Sequence, residues 1–262
     1  MTTLADRTIA ALRGTHDQVA AHMRGLGEDQ LQDASGADGW PVAQVLSHLG
    51  SGTAIALATY RAALDGTEPP GDGFNQGIWD RWNALAPAEQ ATGFLAHEAA
   101  LVDTLEALTP EQRERTDVQL GFLPAPIPLA TALGMRLNEA ALHGWDVRVG
   151  AEPTATVHEG AARVVVEHLS NGLGFMLGYI GKADALPEPS RVRLADAGAA
   201  LVIDERVSLV PDDEEPTATL VAEPEAVLRL VAGRLGPAHT PAGVEVSGNV
   251  SLDDLRRVFP GY

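Results

Sequence analysis

Two side chains set the chemical question in this sequence. Glu139 and His143, a carboxylate and an imidazole, stand four residues apart in the stretch Met135-Arg136-Leu137-Asn138-Glu139-Ala140-Ala141-Leu142-His143-Gly144-Trp145-Asp146-Val147. The stretch reads as helix, and residues at i and i+4 lie one above the other on the same helix face. An oxygen and a nitrogen donor so placed are two corners of a metal site. A third donor is available in His48, on the shoulder of the apolar stripe formed by Val42, Val45, Leu46 and Leu49. Two imidazoles and one carboxylate leave an open coordination position, where a divalent ion can take water or substrate. Each residue also has a plainer reading. His48 suits a half-buried histidine satisfied by one hydrogen bond. Glu139, with Arg136 three residues before it, suits an ordinary ion pair on a helix surface.

Composition narrows the donor types. The 262 residues include no Cys, so disulfides, a Cys nucleophile and a thiolate metal site are all excluded. A metal must then be held by His, Asp or Glu, and any thiol chemistry must use a thiol supplied from outside. The chain has 18 Lys+Arg against 36 Asp+Glu, a net charge of −18. That balance argues against nucleic acid as a partner, because such binding needs basic patches. It also argues against docking on an anionic membrane, and it favours solubility. No run of about 20 apolar residues offers a transmembrane helix. Residues 1–13 carry Asp6, Arg7 and Arg13 and lack the apolar core of a secretory signal, so the expected location is the cytoplasm. The single Lys182 among many Arg, with abundant Ala, Gly and Asp, fits a GC-rich coding genome.

The elements that must position these residues can be read in order. Leu4, Ile9, Leu12, Val19 and Met23 predict a first helix, ended by Gly25 and Gly27. Pro41 suits the first turn of a second helix, which runs to about Leu64 and carries His48. Phe74 to Leu108 reads as one long helix, or as two broken at Pro87, with Trp79 and Trp82 near its start as pocket walls or core. Pro124, Pro126 and Pro128 enforce an extended arm. A last long helix, Leu129 to Val147, then carries Arg136, Glu139 and His143, and Gly150 stops it. Four such helices make an antiparallel bundle, in which inward side chains on neighbouring helices build metal sites.

The pattern changes after Gly150. Glu159 to Leu177 reads as an amphipathic helix. Strands are expected at 191–194, at 200–210 (one or two), at 217–221 and at 244–248. A helix opened by Pro224 and a short last helix capped by Ser251 complete the chain. The expected architecture is therefore an all-helical domain over residues 1–150 and a small α+β domain over 151–262, with no internal repeat.

Two of these stretches resemble a known family. Trp40-Pro41 leading into Val45-Leu46-Ser47-His48-Leu49 resembles the second-helix motif of DinB-like metal-binding bundles. Glu139-x-x-x-His143-Gly144-Trp145-Asp146-Val147 resembles the fourth-helix motif of one branch, the mycothiol-dependent maleylpyruvate isomerases. In that branch the bundle precedes an α+β domain related to sterol carrier proteins, and the resemblance covers nearly the whole chain. It implies that His48, Glu139 and His143 are ligands of a divalent metal, zinc being the expected one. It further implies a low-molecular-weight thiol as cosubstrate, commonly mycothiol in actinobacteria, and a small electrophilic substrate. The implied reaction is either cis–trans isomerisation through a thiol adduct or transfer of the thiol to the electrophile. A non-catalytic metal- or ligand-binding protein of the same class is the alternative. Asp146 would either orient an imidazole or end the helix. Arg136 would meet an anionic group of the thiol or substrate, or else pair with Glu139. Arg234, in a Gly233-Arg234 step that resembles a recurring pattern of the family's second domain, is the candidate for catalysis by carboxylate recognition across a cleft. Its plainer reading is a surface arginine near a helix C-terminus.

Overall fold

Helix α1 (Leu4–Met23) starts where Thr3 and Asp6 cap each other: each side chain accepts a hydrogen bond from the other's backbone N–H. The computed structural model in which this is seen describes residues 2–195 and 197–261. After α1 come α2 (Val42–Asp65), the short α3 (Phe74–Asn83), α4 (Pro87–Glu106), α5 (Pro110–Arg115) and α6 (Leu129–Val149). Between the last two, a two-residue ladder joins β1 (Asp117–Val118) to β2 (Ile127–Pro128) and folds the proline-rich arm back on itself. The reading of 74–108 as two helices is the one observed, and Pro87 takes the first position of α4, where its missing N–H is not needed.

The chain divides into two compact units, Met1–Ala161 and Ala162–Tyr262. In the first, α1 and α2 each pack against both α4 and α6, so they occupy opposite corners of a four-helix bundle. Its centre is made by Leu12, Leu46, Leu49, Leu101, Leu105, Leu133 and Leu137, all almost fully buried. Small residues bring helices close. A side chain at Gly144 of α6 would meet Val19 of α1. At Gly50 of α2 the indole of Trp82 lies where a Cβ would stand, 2.1 Å away. That absence of a side chain is what seats α3 on α2.

The sequence places the domain boundary after residue 150, whereas the first unit extends further, and side-chain bonds explain why. Trp145 Nε1 donates to Ala155 O at 2.8 Å, Arg148 donates to Thr156 O, and His158 rests on Gly14 of α1. These contacts fasten the segment after α6 to the bundle.

The second unit holds a five-stranded sheet. Its members are β3 (Ser190–Leu194), β4 (Ala199–Ile203), β5 (Val207–Pro211), β6 (Ala218–Val221) and β7 (Glu245–Gly248). Their order is β5-β4-β3-β6-β7, with β3 and β6 parallel and the other neighbours antiparallel. The register aligns Val192 with Leu201 and Ala218, and Leu194 with Ala199 and Leu220, which gives one continuous apolar face. Helix α7 (Glu159–Leu169) leads into this unit and is shorter than the expected Glu159–Leu177. The Leu173 N–H bonds back to His168 O and closes the helix within Asn171-Gly172-Leu173, so the apolar spacing continues while the backbone turns. The remaining helices are α8 (Leu177–Ile180), α9 (Pro224–Val231) and α10 (Leu252–Val258). Among the described residues no helix is long and apolar enough to cross a membrane.

Candidate metal centre

His48 lies on α2, and Glu139 and His143 lie one turn apart on the neighbouring α6. Because the two helices pack side by side, the three side chains meet. His48 Nε2 is 3.0 Å from Glu139 Oε2, and His143 Nε2 is 3.7 Å from the same oxygen. One donor atom from each residue lies within 4.8 Å of the other two. An ion with bonds of about 2.0–2.2 Å could be reached by all three with small side-chain adjustments. His48 and Glu139 keep 35% and 37% of their side chains exposed, so the cluster opens to solvent on one side.

Two of the three side chains have neighbours that suit such a role. Asp146, wholly buried, sits 2.8 Å from His143 Nδ1. A carboxylate there accepts a hydrogen bond from Nδ1–H and orients the ring so that Nε2 faces Glu139. Burial works to raise the Glu139 pKa, but the hydrogen bond from His48 and the nearby His143, His48 and Arg136 prevail and hold it at about 2. The carboxylate is therefore ionised throughout the neutral range and needs no proton release to act as a ligand.

A loop ahead of α2 supplies the lid of the cluster. Ala34 bridges Pro41, Val42 N donates to Asp33 O, and Ser35 Oγ donates to Trp40 O at 2.8 Å. The loop is fastened to α6 through Gly36 N, which donates to Asp146 O at 2.8 Å. Trp40 is thereby held over both imidazoles, with ring centroids 5.4 Å from His48 and 6.2 Å from His143, nearly parallel to the latter.

Residues 12–148 match the family described as the mycothiol maleylpyruvate isomerase N-terminal domain. The chain belongs to that family. Two solved structures share its fold across 95% of this chain and 98% of theirs. One is a crystal structure of the mycothiol-dependent maleylpyruvate isomerase, 16% identical with a TM-score of 0.64. The other is a histidine-to-alanine mutant of the mycothiol-dependent maleylpyruvate isomerase, 18% identical with a TM-score of 0.63. At such identities the likeness is one of fold, here an N-terminal helical bundle followed by a small sheet domain. Curated protein sequences give no match.

Not every residue singled out in this family member's sequence lies at the cluster. Arg136 shares a helix face with Glu139, yet its guanidinium turns inward. It bonds Glu98 at 2.7 Å and Thr53 at 2.6 Å and is almost fully buried, which departs from the expected outward contact to a thiol or substrate. The long stem of Arg carries the charge away from the face its Cα marks. Trp82 is core, edge-on to His97, and Trp79 is exposed. Trp40 is the aromatic at the cluster, and its place directly before Pro41 and one helix start ahead of His48 was the available signal. Arg234 belongs to the second unit and follows Gly233, whose φ of 71° and contact with Gly261 fix the turn. One of its nitrogens donates to Ala232 O at 3.2 Å. Glu98 and Thr53 carried no spacing signal toward Arg136, because their contact joins three different helices.

Proposed function

We propose that this protein is a metal- and low-molecular-weight-thiol-dependent enzyme acting on a small anionic electrophile, either by cis–trans isomerisation through a reversible thiol adduct or by transfer of the thiol. The observation that carries this reading is the convergence of two imidazoles and one ionised carboxylate at an open position. The donor set suits zinc, which takes two His and one Glu in other catalytic sites. A divalent ion there would keep the sulfur of a thiol ionised, and so nucleophilic, at neutral pH.

The chain's own residues have distinct parts in this account. His48, Glu139 and His143 hold the ion and leave one side for the thiol. Asp146 fixes the tautomer and direction of His143. Trp40 covers the imidazoles and limits water on that side. Arg234 is the proposed carboxylate-recognising cation of the second unit; a guanidinium binds a carboxylate through two parallel hydrogen bonds. The absence of Cys from the chain means that no protein thiol competes for the ion.

The test uses mycothiol as the thiol and cobalt as a coloured substitute for zinc. Addition of mycothiol to the cobalt-loaded protein should add a sulfur-to-metal charge-transfer band and raise the thermal midpoint. Maleylpyruvate should then be isomerised, or a thiol conjugate should form with an electrophile, only when both thiol and metal are present. An unchanged spectrum and unchanged thermal midpoint at saturating thiol would overturn the proposal.

A further inference from the structure

Arg136 and Glu98 form an ion pair at 2.7 Å with only 6% and 2% of their side chains exposed. The pair is part of a larger link. Arg136 Nη2 also approaches Thr53 Oγ1 at 2.6 Å and Leu49 O at 3.2 Å, and Thr53 bonds Glu98 Oε2. The guanidinium lies against the α2 backbone, so that a Cβ at Gly52 would come 3.1 Å from Nη1. Three helices are joined at one point: α6 through Arg136, α2 through Leu49 and Thr53, and α4 through Glu98. The attachment points adjoin the candidate ligands, since Leu49 follows His48 and Arg136 stands three residues before Glu139.

Stability alone is a weak reason for such a link. Burying two charges costs desolvation, and well-packed apolar residues of similar size often do as well or better. Here the cost is not fully offset, because among the described residues Glu98 Oε1 and Arg136 Nε are buried and find no hydrogen-bond partner. What the link supplies that apolar contacts do not is direction. Hydrophobic burial has no preferred direction, whereas a guanidinium bonded to a backbone carbonyl, a hydroxyl and a carboxylate favours one register.

We infer that the Arg136–Glu98–Thr53 link positions the metal centre: it sets the register of α2 against α6 and thereby the separation of His48 from Glu139. Arg136 is thus a positioning residue and not a contact to thiol or substrate. The inference rests on the reading of His48, Glu139 and His143 as metal ligands.

The experiment pairs stability with metal binding. The double variant R136M/E98L replaces the ion pair by apolar side chains, and E98Q keeps the shape while removing the charge. Zinc affinity is measured by competition with a chromophoric chelator, the cobalt ligand-field spectrum reports the geometry, and thermal denaturation reports the fold. R136M/E98L should denature at or above the wild-type temperature and yet bind zinc about tenfold to a hundredfold more weakly, the range seen when the support of metal ligands is removed. Its cobalt spectrum should differ from wild type, and E98Q should show a smaller loss of affinity. A folded double variant with wild-type affinity and spectrum would overturn the inference; should it not fold, E98Q with wild-type affinity would do so. A wild-type chain that takes up no metal would overturn this inference together with the metal-centre reading, whereas metal binding indifferent to both variants would leave the metal centre standing and remove only the link.

Discussion

At the scale of single residues, the account turns on which nitrogen of His143 faces Glu139. Asp146 decides this by occupying Nδ1 from a fully buried position. Asp146→Asn keeps an acceptor at that place but removes the charge, and should weaken zinc binding by about tenfold with the fold intact. Competition with a chelator measures it; an unchanged affinity would mean that Asp146 serves the backbone turn alone. The i, i+4 spacing made Glu139 and His143 legible, because that spacing fixes a common face. Asp146 was legible only as one of two roles, since a carboxylate three residues after a histidine reaches either the imidazole or the helix end. The inward turn of Arg136 was not legible. Spacing gives the direction of Cβ, but the course of a long side chain depends on which buried acceptor it finds, and Glu98 comes from another helix.

At the scale of elements, helix contacts and caps carry the predictions. Gly50 and Gly77 make a controlled pair. Gly50→Ala would push a methyl group into Trp82 and should destabilise the first unit by about 1–3 kcal/mol. Gly77, inside α3 with open space beside it, should gain about 0.5–1 kcal/mol on substitution by Ala. Denaturant titrations of the two variants test both signs. Asp6 joins the start of α1 to Arg113 of α5 at 2.7 Å. Its pKa is lowered from 3.8 to about 2, first by the Arg113 hydrogen bond and then by those from Thr3. A depressed carboxylate pKa contributes stability that is fully present above the ordinary value and fades as pH falls through the native one. Asp6→Asn should therefore cost about 1 kcal/mol at neutral pH and almost nothing near pH 2, read from denaturation across that range. The long helices were legible from apolar spacing, and the break at Pro87 from the missing N–H. Helix α5 has no apolar period in its six residues, and the capping box of Thr109-Pro110-Glu111-Gln112 is its one mark in the sequence. The end of α7 was misplaced because spacing cannot register a turn that preserves apolar contacts.

At the scale of the whole molecule, the order of a helical bundle and a small α+β domain was plain in the sequence: periods near 3.6 give way to short alternating runs after the bundle. Packing of the second unit was only partly legible. Helix α9 is buried all round, and its Arg229 is neutralised by Glu225 with nitrogen–oxygen distances of 2.7 and 2.9 Å. The i, i+4 spacing of Glu225 and Arg229 allows that pair and the Gly233-Arg234 step marks the other arginine, but spacing does not assign either one a role. Substitution separates them. Arg234→Ala should leave metal content at the wild-type level and lower kcat/KM for an anionic substrate by about tenfold to a hundredfold, the worth of a charged hydrogen bond. A parallel loss of metal would instead assign Arg234 to structure. The central claim is that His48, Glu139 and His143 together hold one ion. The most direct measurement is the metal content of purified wild-type protein and of His48→Ala after dialysis against a dilute zinc buffer, with circular dichroism to establish that both are folded. The account predicts about one zinc per wild-type chain and nearly none in His48→Ala. Equal metal content in the two folded proteins, or none in either, would contradict it.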